Sequence, residues 1–174
     1  YIISNNVSAV SNLVSNIDLE PSAGYNLIPR EKLLLFHSFE SVMEVFYDKK
    51  YRDLQETKSL LSDFKSKCLA RHYEMAVKGK TRKPFIVIEG NQRTSRKIVA
   101  RRVARRLSAT YLSNPPLCLV KLTNMFPFGS VLRRSYFGLC MYATARHVHW
   151  LYNRWPVVVN GYYYDQASFS IAQV

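Results

Sequence analysis

Pro84-Phe85-Ile86-Val87-Ile88-Glu89-Gly90-Asn91-Gln92-Arg93-Thr94-Ser95-Arg96-Lys97 is the stretch on which the fold turns. It opens as a short, continuous apolar run, rich in β-branched side chains and closed by a glycine. That is the form of a strand buried on both faces of a parallel sheet. The residues that follow are polar and basic and lead into a helical pattern over about 95–108. There Val99, Val103 and Leu107 recur at i, i+4 and i+8 as the expected buried stripe.

Downstream, strand and helix continue to alternate. Residues 109–112 read as a second strand, and Asn114-Pro115-Pro116 breaks the chain. Residues 131–152 read as a long helix and 155–160 as a third buried strand. Such alternation predicts an α/β domain with a parallel sheet and right-handed crossovers. Upstream the pattern is different. Residues 1–30 are rich in Ser and Asn, are broken by Pro21, Gly24 and Pro29, and read as an extended arm. Two helices follow in the stretch 31–83. The first has Leu34, Leu35, Val42, Met43, Val45 and Phe46 at helical spacing. The second, about 51–77, carries Leu54, Leu61, Phe64, Leu69 and Tyr73 as its expected stripe, and the basic loop 78–83 closes the pair. The expected organisation is therefore an arm (1–30), a helical extension (31–83) and an α/β domain (84–174).

Composition limits the class. A hydrophobic fraction of 48% is that of a globular chain and excludes disorder as the general state. Lys+Arg 25 against Asp+Glu 12 leaves a net charge of +13, which predicts attraction to a polyanion. Three cysteines, with no CxxC pair, predict neither a disulfide framework nor a zinc site and fit a reducing compartment; Cys118 and Cys140 read as small buried hydrophobes. No run approaches the ~20 apolar residues of a membrane span. Because the sequence opens on Tyr1, a further N-terminal segment is expected to precede it.

The strand–Gly–helix junction is where a phosphate loop, G-x-x-x-x-G-K-[ST], would lie. In such a loop glycines turn backbone N–H groups onto phosphates, the Lys bridges them and the hydroxyl holds Mg²⁺. The corresponding residues are Gly90, Asn91, Gln92, Arg93, Thr94, Ser95, Arg96 and Lys97. The first Gly is present. Ser95 stands at the second, Arg96 at the Lys and Lys97 at the hydroxyl. Lys97 cannot ligate Mg²⁺, and the planar fork of Arg96 is bulkier than an ammonium. Residues 90–164 also contain no Asp or Glu, whereas phosphoryl transfer generally needs a carboxylate for the metal or the nucleophile.

With these motifs in place, residues 84–107 resemble the opening of the thymidylate kinase family of P-loop nucleoside-monophosphate kinases. Residues 112–172 are similar to the mitochondrial UMP–CMP kinases of that family, through Asn114-Pro115-Pro116, Val131-Leu132-Arg133-Arg134-Ser135-Tyr136-Phe137 and Pro156-Val157-Val158-Val159-Asn160-Gly161-Tyr162. The resemblance implies the first half of a three-layer P-loop kinase fold, behind a helical extension. It implies that Phe137 stands where an aromatic stacks on the acceptor base, and that Arg133 and Arg134 stand where basic residues face the acceptor phosphate. Met141 stands at a phosphate-binding Arg, and Asn160-Gly161-Tyr162 replaces an Asp-Arg-Tyr motif that serves Mg²⁺ and phosphate. The resemblance covers none of the family's later strands or its lid, so either the sequence is expected to be part of a longer protein, or the exposed sheet edge is expected to be covered by another chain or by the N-terminal helices.

The expected function is thus a catalytically inactive kinase-like protein, working as a structural or interaction subunit of a larger assembly. It needs no cofactor. The alternative is an atypical dTMP, UMP or CMP kinase or nucleotide-binding protein, which would take ATP and Mg²⁺. Arg101/Arg105 and Arg102/Arg106 form two adjacent i, i+4 basic stripes, the expected interaction face for RNA or an acidic protein surface. Mitochondrial placement is implied by the resemblance alone, with a cytoplasmic or cytoskeletal site as the alternative.

Overall fold

The computed structural model describes residues 2–3, 36–69 and 82–172. The 1–30 arm beyond Ile2–Ile3, Leu34, Leu35, Tyr73 and most of the 78–83 loop lie outside the described residues.

Three parallel strands form the centre: β2 (Phe85–Ile88), β3 (Thr110–Ser113) and β4 (Val157–Asn160), in the spatial order β2-β4-β3. Phe85 pairs with Val157 and Ile88 with Asn160, while Thr110 and Ser113 meet the same two residues from the other side. β4 is therefore central, and Val157, Val158 and Val159 are wholly buried. A two-residue strand, β1 (Ile2–Ile3), runs antiparallel along the outer edge of β2, with Ile2 opposite Val87. Over these two residues the edge of β2 is therefore covered by an extended segment, and not by the helices or the second chain that were expected.

Alternation along β4 decides what covers each face. Val157 and Val159 point toward Val148 of α4 (Val131–Leu151) and Tyr152 just after it, and Val158 points toward Ala100 and Ala104 of α3 (Arg93–Arg106). The layers are helix, sheet, helix: a mixed α/β fold with a small parallel sheet. The expected stripe of α3 needs correction here. Val99 and Val103 only flank the contact, Ala100 and Ala104 are its buried centre, and Leu107 is 46% exposed. The helix ends at Arg106, and Ser108 turns the chain at φ 49°, so Leu107 never completes the stripe.

α4 is buried on nearly every side, because it faces the sheet near its C-terminal end and the helical extension near its N-terminal end. In that extension, α1 (Phe39–Tyr47) is started by a capping box, Ser41 N–H donating to Ser38 Oγ at 3.1 Å and Ser38 N–H to Ser41 Oγ at 3.2 Å. It buries Val42, Met43 and Phe46. α2 (Gln55–Asp63) runs into a π-helical turn, Phe64–Leu69. The buried face of this helix and turn is Thr57, Leu60, Phe64 and Cys68; of the expected stripe Phe64 is buried, Leu61 and Leu69 are partly buried against the same core, and Leu54 is the 41%-exposed residue before the helix. Side chains such as Phe46, Leu60 and Tyr136 share one core with Leu119 and Leu139. Each apolar side chain so buried contributes about 1.5–3 kcal/mol.

A further correction concerns the cysteines. Cys68 and Cys118 form a disulfide across 50 residues, with Cα atoms 5.6 Å apart, whereas free thiols were expected. The spacing signal failed because the two residues meet through the fold and lie in no local motif. Cys140 is free and buried. No described helix is long and apolar enough to cross a membrane.

Candidate functional site

The C-terminal ends of the three parallel strands point the same way, and the segments that follow them (Gly90–Gln92, Asn114–Pro115 and the start of α5, Tyr163–Ala172) border one cleft of about 450 Å³. The first crossover skips over the position that β4 later fills, so the chain reverses its order at this end of the sheet. In open α/β sheets this is where ligands bind.

The phosphate-loop region is a tight turn. Gly90 has φ +153°, which side-chain-bearing residues rarely adopt, and α3 begins as early as Arg93. Arg93, Thr94 and Ser95 are therefore helical and exposed. Ser95 Oγ bonds Gln92 Oε1 at 3.1 Å, and no side chain caps the helix. Among the expected loop residues, Asn91, Arg93 and Arg96 line the cleft, and Lys97 is exposed on the helix.

Arg96 is held from three sides. Its Nε donates to Asn160 Oδ1 at 3.1 Å, and its Nη1 donates to the Gly90 carbonyl at 2.7 Å and to Asp165 Oδ1 at 2.5 Å. The Arg96 side chain is only 9% exposed and that of Asp165 35%. Gly161 makes room for this arrangement. At φ +74°, a Cβ on it would lie 3.1 Å from Arg96 Nη2. Neither Asp165 nor Asn160 was expected as a partner of Arg96. Asp165 ends a long acid-free stretch, and that run was the available signal.

Glu89 lies just behind the turn. Its Oε1 accepts from the Tyr162 N–H at 2.9 Å, while the buried Oε2 has no partner among the described residues. Burial pushes its carboxyl above the usual range and the neighbouring Asp165 adds to this, against the pull of the Tyr162 N–H and of Arg96.

The opposite wall is the segment between β3 and α4. Tyr136, wholly buried, donates to the Leu119 carbonyl at 2.9 Å, and Cys118 ties the same segment to the helical extension. Arg133 Nη1 donates to the carbonyls of Thr123 (2.9 Å) and Phe126 (3.0 Å), and its guanidinium lies 5.6 Å from the Phe137 ring centre. Arg133 thus braces the wall. Arg134 reaches the Gly129 carbonyl at 3.4 Å and leaves its buried Nε without a partner among the described residues. Arg133, Arg134, Phe137 and Met141 all line the cleft that Arg96 lines from the other side. In the aromatic run after β4, Tyr162 packs edge-on to Phe85, Tyr163 faces the cleft and Tyr164 is 53% exposed.

Arg101, Arg102, Arg105 and Arg106 are exposed on α3, away from the cleft lining, with Arg101 5.4 Å over the Tyr111 ring. Among the described residues, no three His, Cys, Asp or Glu side chains converge as a metal site would require. Compared with known proteins, the chain matches no family model, no curated protein and no solved structure.

Proposed function

We propose that this chain is a catalytically silent member of the thymidylate kinase-like proteins, with the first half of a P-loop kinase fold, working as a structural and interaction subunit of a larger assembly. The observation that carries this reading is the state of Arg96. Arg96, in the position where a phosphate loop places its Lys, is already paired with Asp165, Asn160 and the Gly90 carbonyl. A phosphate arriving there would have to displace a partly buried ion pair. The turn also lacks the length to wrap a phosphate, since α3 starts three residues after Gly90. The exposed arginines of α3 then serve a polyanionic partner, with no cofactor required. Mitochondrial placement accompanies this reading by family analogy.

A second reading rests on the cleft. Its volume of about 450 Å³ falls in the ligand-pocket range, and it joins an aromatic ring, Phe137, to the guanidinium of Arg134. On that reading the protein binds a nucleoside monophosphate. Thermal unfolding with ATP, CMP, UMP and dTMP, each with and without Mg²⁺, separates the two. A ligand at 100 times its dissociation constant adds about 2.7 kcal/mol, or roughly 5–10 °C at this size. The silent reading expects no shift; a saturable shift with any of the four overturns it.

A further inference from the structure

We infer that the outer face of α3 is a binding site for the phosphate backbone of nucleic acid, independent of base sequence. The inference rests on the interaction-subunit reading above and names the partner.

Lys97, Arg101 and Arg105 follow one another at i, i+4 spacing, and all three are exposed and outside the cleft lining, whereas Arg93 lines the cleft. Each step advances about 6 Å and turns about 40° around the helix axis, so the three make a slanting row about 12 Å long. Each cation that meets a phosphate releases that phosphate's condensed counterion. Arg102 and Arg106 lie beside it, also exposed, and widen the row into a band. Among the described residues none of these five side chains forms an ion pair; the one ion pair made by α3 belongs to Arg96. Like charges at i, i+4 repel each other, and a string of phosphates relieves every pair at once.

Three features favour nucleic acid over an acidic protein. Four of the five cations are arginines, whose planar fork matches phosphate oxygens. Arg101 is held over Tyr111 and so is partly pre-set. A protein partner would need an apolar centre to the interface, yet the large hydrophobics exposed on or beside this helix are only Ile98 (47%) and Leu107 (46%). Contacts to the phosphate backbone carry no base-sequence information directly, so RNA and DNA duplexes of one sequence should bind within a few-fold of each other.

Fluorescence anisotropy of the full chain with labelled 20-base-pair RNA and DNA duplexes, from 50 to 200 mM salt, tests this. Four to five neutralised phosphates predict a slope of log K against log[salt] of about −4. The double variant R101E/R105E should weaken binding at least tenfold and flatten the slope by about 2. The neutral pair R102Q/R106Q, which stays nearer native charge, should weaken it several-fold. K49E/K50E makes the same change in net charge in the exposed turn after α1 and should cost clearly less. Equal loss in K49E/K50E, unchanged binding in R101E/R105E and R102Q/R106Q, or displacement of duplex by poly-glutamate at equal charge would each overturn the inference. The last outcome would point to an acidic protein instead. Failure here with no nucleotide-induced thermal shift removes this inference alone, whereas a shift with Mg-ATP removes the silent reading and leaves the duplex result standing.

Discussion

Arg96 and Asp165 meet at 2.5 Å across 69 residues of sequence, joining the first turn of α3 to the first turn of α5. An ion pair in this position does two things. It fixes α5 against the end of the sheet, and it satisfies the guanidinium that a ligand anion would need. Breaking a buried pair costs several kcal/mol because a charge is left stranded, but Asp165 is 35% exposed and water screens part of the loss. Asp165→Asn should therefore destabilise by about 1–2 kcal/mol, a fall in Tm of roughly 2–8 °C. With Arg96→Met and the double variant, the cycle should give a coupling of about 1 kcal/mol. Additive losses would show that the pair contributes nothing.

Gly161 is coupled to the same contact. An alanine there takes on a left-handed conformation, costing about 1–2 kcal/mol, and places its methyl against the Arg96 guanidinium. Gly161→Ala should lower stability by about 2 kcal/mol in urea unfolding. In an Arg96→Ala background the steric part disappears and only the backbone part remains. Equal losses in the two backgrounds would mean that the methyl and the guanidinium do not compete for space.

The alternation of strand and helix was legible because β2 and β4 are unbroken apolar runs, and a strand buried on both faces has no other way to be written. The helical faces were less legible. In α3 the eye follows Val99, Val103 and Leu107, but a helix laid close on a sheet buries its small residues, here Ala100 and Ala104. In α2 the buried line passes through Thr57 and Cys68, which composition scores as polar or neutral, and Cys68 is there because it pairs with Cys118. At the site, sequence order named Arg96, Arg133, Arg134 and Phe137, and the fold sets all four around one cleft. It could not show that Arg96 is held by Asp165, or that Arg133 is turned onto the Thr123 and Phe126 carbonyls, because such partners are fixed only by tertiary structure.

Glu89 supplies a pH signature. Its carboxyl is raised mainly by burial, so the folded chain holds that proton more tightly than the unfolded one. Between the ordinary glutamate range and the raised value the native state then carries more protons. The contribution is fully present below that window and is lost as pH rises through it. Glu89→Gln keeps an acceptor for the Tyr162 N–H and removes the ionisation. Its Tm should exceed that of the parent chain at pH 8, and the gap should narrow steadily on acidification to pH 4. A gap that widens toward low pH would reverse the sign and refute the account.

The Cys68–Cys118 link closes a span of 50 residues and anchors the cleft wall to the helical extension. Closure of a loop that long stabilises by about 2–4 kcal/mol, so reduction, or Cys118→Ser, should lower Tm by several degrees. Cys140 reports on whether the pairing is right. It is buried, its thiol is pushed up to about 12 by desolvation, and it is therefore a poor nucleophile in the native state. Under non-reducing conditions iodoacetamide should label no cysteine in the native protein and Cys140 alone after denaturation. After reduction and denaturation it should label all three cysteines. Mass spectrometry of the peptides reads this directly, and labelling of Cys68 or Cys118 in the denatured, non-reduced chain would show that the bridge does not form.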